Sequence, residues 1–129
     1  MKFISFEQQK RFSLIKNQIP SNLSGDRELI SIAYIMASSK ELEQKMIPYV
    51  NWVNGFDYEK MFQSETFSNA EKVLAKLAVA LYDNGVDLQF HEVFTKLDQY
   101  QKEMALHIAN YRYNRKNIYE AEDGNLFIN

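Results

Sequence analysis

The apolar positions of the chain fall into stretches of helical period separated by turn-formers. Phe6, Phe12 and Ile15 make a first stripe behind Ser5. Ser5 and Gln8 have the spacing of a capping box, in which each side chain satisfies a backbone donor of the other residue. Pro20 stops this helix near residue 18, and "IPSNLSG" at 19–25 is a cluster of turn-formers. The stretch "GDRELISIAYIMA" then predicts a second helix from Asp26 to about Ser38, with Gly25 or Ser24 as its N-cap. Leu29, Ile30, Ile32, Ala33, Tyr34, Ile35 and Met36 cover nearly its whole circumference, the pattern of a central, buried helix.

Ser38 and Glu41 read as another capping box, opening a short helix that ends at Pro48. In "YVNWVNGFDYEKMFQSETFS", at 49–68, neither period dominates, and short helical turns and loops around Gly55 are expected. Ser68 with Glu71 opens a strongly helical run, "VLAKLAVALY", stopped by Asp83-Asn84-Gly85. Phe90, Val93, Phe94 and Leu97 repeat at i, i+3, i+4, i+7 and mark a shorter helix. Asp98 with Gln101 caps a last one, through Met104, Ala105, Ile108 and Ala109. The expected fold is all-α: a compact, single-domain bundle of about five to six helices over residues 1–115. An acidic tail at 116–129, closing on Leu126-Phe127-Ile128, is expected to dock on the domain or on a partner.

Composition supports that picture. Hydrophobic residues are 46% of the 129 and aromatics 14%, enough apolar area to exclude a disordered chain. Four Gly and two Pro are too few for the many tight turns of a small β-sandwich or barrel. Fifteen Lys+Arg against seventeen Asp+Glu leave a net charge of −2, which argues against a dominant field for nucleic acid or anionic membrane and falls short of a DNA mimic. With no cysteine there is no disulfide, thiol nucleophile or thiolate ligand. "MKFISFEQQKRF" becomes charged too early for a secretory signal, and no apolar run nears the ~20 residues of a membrane span, so a cytoplasmic address is expected.

Candidate chemistry is sparse. Arg27 beside a helix start could clamp an anion, but Asp26 and Glu28 oppose this and favour a plain helix start. "HEVF" at 91–94 superficially resembles a zinc-protease helix, yet the second histidine is missing and Thr95 stands in its place. His107 lies too far along the chain to complete that pair, so no metal or cofactor is expected. No nucleophile elbow and no glycine-rich phosphate loop is present, and no catalytic residue is assigned. A small enzyme built on an acid or histidine site is the third-ranked reading.

Two patches carry binding readings. In "YRYNRK", Tyr111, Arg112, Tyr113, Arg115 and Lys116 are residue types that stack on bases and contact phosphates. Basic residues near a helix C-terminus also complement its dipole with no ligand, and Glu120, Glu122 and Asp123 follow closely. The aromatics Trp52, Phe56 and Tyr58, with Glu120, Glu122, Asp123 and Phe127 of the tail, are the candidates for a protein interface. An exposed apolar helix face would also allow a homodimer.

"GDRELISIAYIMASSKEL", "NAEKVLAKLAVALYDNG" and "VFTKLDQYQKEMALHIANYRY" together resemble a family of small, functionally uncharacterised proteins encoded by Gram-positive bacteria and their phages. The resemblance rests on Gly25 to Glu28, Leu77 to Gly85 and Leu97 to Tyr113, and covers most of residues 1–115. The chain departs from it at Asp83, where the family usually shows Asn, and in the unusual segment 49–67. Such a family has no assigned reaction, so no catalytic residue carries over. It implies company with phage and mobile-element genes, whose small products often disable host machinery. The leading expectation is therefore a non-enzymatic, phage-associated protein that binds and inhibits or modulates a host protein, such as a defence effector of the CRISPR-nuclease kind. Nucleic-acid or nucleotide binding through residues 111–116 is the alternative.

Overall fold

Short polar side chains at the segment boundaries set where each helix begins. In the computed structural model, which describes residues 1–83 and 86–114, the order is α1 (Phe6–Lys16), α2 (Arg27–Met36), α3 (Lys40–Met46), β1 (Val50–Asn51), β2 (Gly55–Phe56), α4 (Tyr58–Ser64), α5 (Asn69–Asp83), α6 (Phe90–Lys96) and α7 (Gln99–Tyr113). The protein is thus predominantly helical, as its pattern of apolar positions requires, with single 3-10 turns before α2 and before β1. No helix among the described residues is long and apolar enough to cross a membrane.

The caps refine three expectations. Asp26, not Gly25 or Ser24, caps α2, its Oδ1 accepting from the Leu29 amide at 3.0 Å. Ser39 rather than Ser38 caps α3, accepting from the Leu42 amide at 3.0 Å. Ser5 accepts from the Gln8 amide at 3.0 Å as expected, but Gln8 does not close the box. Its side chain is fully buried, accepting from the Ile4 amide at 2.8 Å and donating to the Tyr34 carbonyl at 3.1 Å and the Met104 sulfur at 3.3 Å. It ties α1 to α2 and α7 across the core. The boxes Ser68–Glu71 and Asp98–Gln101 form in both directions.

Helix α2 lies at the centre, packed against α1, α3, α5 and α7. Every residue from Leu29 to Met36 is buried, including Tyr34, whose hydroxyl donates to the Lys2 carbonyl at 2.6 Å. Three arginines close helix C-termini whose last carbonyls have no partner within their own helix. Arg11 donates to the Ala37 carbonyl at 2.8 Å, just past α2. Arg112 donates to the Leu81 carbonyl of α5 at 2.8 Å. Arg27 donates to the carbonyls of Tyr111 and Asn114 at the end of α7, and lies over the Tyr111 ring at 4.8 Å.

The segment 49–67, expected to hold short helical turns and loops, contains a short helix, α4, and a two-strand ribbon that was not expected. Val50 pairs with Phe56 and Asn51 with Gly55, antiparallel. The Asn51 side chain closes the connection by accepting from the amides of Val53 and Asn54 at 3.0 and 2.9 Å. Gly55 sits at φ 127°, a conformation that side chains strain, and a Cβ there would also press on the Tyr82 hydroxyl at 3.0 Å, so glycine fits the turn. Asp57 then caps α4.

Candidate functional site

Most apolar stripes of the chain are covered by a neighbour. That of α6 is not. Gln89 and Glu92 form a reciprocal box at its start, and the Glu92 carboxylate reaches Lys76 of α5 at 3.3 Å and Lys96 at 3.8 Å. The bond from the Gln89 amide, ahead of the Lys76 ammonium and against the effect of burial, holds the Glu92 carboxyl below the usual carboxylate range. Leu97 is buried just beyond the helix, and Asp98 at once caps α7. So α6 is pinned by one polar edge and by its end, while Phe90 and Phe94 point away from the core.

Phe90 is 77% exposed and Phe94 41%, with ring centroids 4.7 Å apart. Across from them on α7, Leu106 is 51% exposed. Together with Leu77, Leu88, Val93, Ala105 and Ala109 they line a groove of about 230 Å³ between α5, α6 and α7. All eight lining residues are apolar, so none of them brings a side chain that would hold or move a proton. Pockets for small ligands typically run to about 300–1,000 Å³ and carry convergent polar groups. A smaller, wholly apolar groove between helices instead fits one or two side chains from another polypeptide segment.

The aromatic candidates of the ribbon region sit elsewhere. Phe56 is buried, its ring edge-to-face with Tyr58 at 6.0 Å and Tyr82 at 6.1 Å, so it belongs to the core rather than the surface. Trp52 is half-buried beside Asp26, Glu28 and Leu29. Tyr58 is half-buried and its hydroxyl donates to Asp83 at 2.8 Å. That bond, with some burial, pushes the Tyr58 hydroxyl above its ordinary 10.0, and the Glu65 carboxylate does the same to Tyr49. Both are therefore poorer proton donors than free tyrosine. In the polar bowl they line with Asn51, Asn54 and Asp57, the Tyr49 and Tyr58 hydroxyls are turned to carboxylates of the same chain, Glu65 and Asp83.

At the end of α7 the basic candidates are drawn inward. Tyr111 is half-buried under the Arg27 guanidinium, and burial, against the opposing pull of that charge, raises its hydroxyl. Besides Leu81, Arg112 binds the Glu28 carboxylate at 2.9 Å. Tyr113 is exposed, with the Arg112 guanidinium 5.0 Å from its ring centre. Arg115, Lys116, Glu120, Glu122, Asp123 and Phe127 lie outside the described residues, as do Asn84 and Gly85 of the expected helix stop.

His91 is exposed on α6, whereas His107 is half-buried, its Nε2 accepting from the Lys2 amide at 3.0 Å. Among the described residues no three His, Asp or Glu side chains gather to hold a metal ion. The Gly25 to Glu28 stretch is a structural tie: Asp26 caps, Arg27 binds the end of α7 and Glu28 binds Arg112. No family model matches the chain, and no curated protein or solved structure is significantly similar to it. The groove missed by sequence reasoning had a visible signal, the Phe90/Val93/Phe94 stripe, but a stripe does not tell whether the same chain covers it.

Proposed function

We propose that the protein is a non-enzymatic interaction module that binds and inhibits or modulates a host protein. The observation that carries this reading is the uncovered groove of Phe90, Phe94 and Leu106. Large apolar side chains clustered on a rigid helical frame are the usual anchors of protein binding, and a contiguous exposed patch on a small domain is a mark of such a site. Phage association and a defence effector as target come from the family resemblance and give the setting in which to look, the cytoplasm of a Gram-positive host. The alternative, nucleic-acid binding through residues 111–116, gains nothing from the geometry, because Arg112 is engaged by Leu81 and Glu28 of its own chain.

The test is affinity capture from such a host lysate with nuclease present, using the wild-type chain, a Phe90→Ser/Phe94→Ser double variant and a Trp52→Ala/Tyr58→Ala double variant. A stoichiometric partner kept by the wild type and by the ribbon variant, but lost by the groove variant, is the expected result. A partner lost only with Trp52 and Tyr58 would move the interface to the ribbon. Capture of nucleic acid that disappears on nuclease treatment would replace this reading with the alternative.

A further inference from the structure

We infer that the groove is closed by a second copy of this chain: two α6 helices lie antiparallel across a twofold axis near Glu92, and Phe90 of each copy enters the groove of the other. The inference goes beyond the interaction reading. It takes the same open groove but needs no host protein, which would have to displace the second copy.

Shape carries the first part of the argument. A twofold interface sets one patch against its own copy, so the patch must hold both a projection and the recess that takes it. This face holds both. Phe90 stands 77% exposed at the start of α6, and the groove beside it, of about 230 Å³ and apolar on every side, has room for one ring. Turning α6 about Glu92 exchanges positions 90 and 94. Phe90 of one copy therefore meets the wall that Phe94 makes in the other.

Area carries the second. Eight large apolar side chains stand exposed among the described residues, and four of them, Phe90, Phe94, Leu106 and Tyr113, lie on this side of the molecule. Tyr113 follows Leu106 by two turns on the same face of α7. At about 150–250 Å² for a whole aromatic side chain, the exposed parts of the four come to roughly 400 Å². A standard interface takes about 800 Å² from each partner, a little over half of it apolar, so the patch with its polar rim suits a copy of itself. Phe6 and Leu14 on α1 offer about half that apolar area, interrupted by Gln9, Lys10 and Ser13.

Charge carries the third and sets the direction. Asp87 precedes Phe90 by three residues and Lys96 follows Phe94 by two. An antiparallel pairing brings Asp87 of each copy toward Lys96 of the other, whereas a parallel one sets like against like. Lys96 is the looser of the two cations on Glu92, at 3.8 Å against 3.3 Å for Lys76. Glu92 itself is turned to Lys76 on the body and brings no unpaired charge to the axis. A net charge of −2 leaves little general repulsion between copies.

The test is sedimentation equilibrium of the purified full-length chain from micromolar to millimolar concentration. The mass is expected to rise from 15.2 kDa toward twice that. The Phe90→Ser/Phe94→Ser variant is expected to stay at the lower mass, and Phe6→Ser/Leu14→Ser to rise like the wild type. Asp87→Lys and Lys96→Glu are each expected to associate more weakly, since either change sets like charges together at both rims. An equimolar mixture of the two is expected to recover, every rim contact then joining unlike charges, and a merely frayed α6 would not show that recovery. A wild type that stays monomeric, a rise that survives in the groove variant, or a rise lost in the α1 variant overturns the inference. Charge variants that associate like the wild type, or a mixture that does not recover, overturn it as well. Since no host protein enters this experiment, its failure leaves the capture result standing, and failed capture leaves this one.

Discussion

Helices α2 and α6 both carry apolar stripes of helical period, yet the fold treats them in opposite ways. Every residue of α2 from Leu29 to Met36 is buried under four neighbouring helices, and Asp26 and Arg11 close its two ends. None of the residues of α6 is fully buried, and its hold on the body runs through Glu92 and Lys76, the half-buried Val93 and the adjoining Leu97. Periodicity reports that a face wants cover. Whether cover comes from the same chain depends on how many other faces compete for the centre. Here α1, α3, α5 and α7 enclose α2, and α6 is left with one side on the body and one side open.

The sharpest way to break that comparison is to cut a large apolar side chain from each helix. Ile35→Ala removes fully buried methyl groups and is expected to cost about 2–5 kcal/mol, read as a lower urea midpoint at unchanged slope. Phe90→Ser removes a larger side chain from solvent and is expected to shift stability by no more than about 0.5 kcal/mol. A loss at Phe90 as large as that at Ile35 would mean that the α6 face is as well covered as α2.

Arginine ties give the next effect in size. Arg112 makes one bond to the Leu81 carbonyl and one to Glu28, so Arg112→Ala leaves a C-terminal carbonyl of α5 and a carboxylate without their donor. A loss of about 1–3 kcal/mol is expected. Arg112→Lys is expected to recover little of it, because a single ammonium cannot span two acceptors that a planar fork reaches together. Full recovery by lysine would show the tie to be a matter of charge alone. Neither variant is expected to disturb the Phe90–Phe94 pair, since the groove lies on another part of α7.

These ties also mark where sequence reading stops. Ser5, Ser68–Glu71 and Asp98–Gln101 were legible because a cap is a local event, decided within three residues. The burial of α2 was legible because an all-round apolar helix has no solvent face to offer. Arg27 reaches Tyr111 and Asn114 across more than eighty positions, and its pattern in the sequence is that of any first-turn charge. The β-ribbon was missed, and the short helical turns expected here could not be placed, because the determinants are single residues: the Asn51 side chain, the positive φ of Gly55 and the Asp57 cap. Gln8 looked like a surface capping partner, and only the closeness of Tyr34 and Met104 makes it a core residue. The groove itself lay in plain view as a stripe, and what the sequence withheld was its neighbours.

The smallest expected effect compares two carboxylates, one on each side of the divide. Burial acts to raise the Glu71 carboxyl, but the bonds from Lys45 at 2.8 Å and from the Ser68 amide outweigh it and hold it below its ordinary 4.5. Glu92 is held low in the same direction. A depressed carboxyl pKa means that the stabilisation is complete above the ordinary carboxyl range and is lost as pH falls through the folded-state value. Glu71→Gln keeps an oxygen for the Ser68 amide and removes the charge, so it isolates the pair with Lys45. At neutral pH it is expected to lower stability by up to about 1 kcal/mol, the pair being partly exposed and screened, and the gap from wild type should close as pH falls below the ordinary carboxyl range. Glu92→Gln is expected to act locally, speeding amide exchange in α6 at neutral pH while α2 keeps its protection. If α2 loosens in step with α6, the open side of the molecule is cooperative with the sealed one, and the groove cannot move independently of the core.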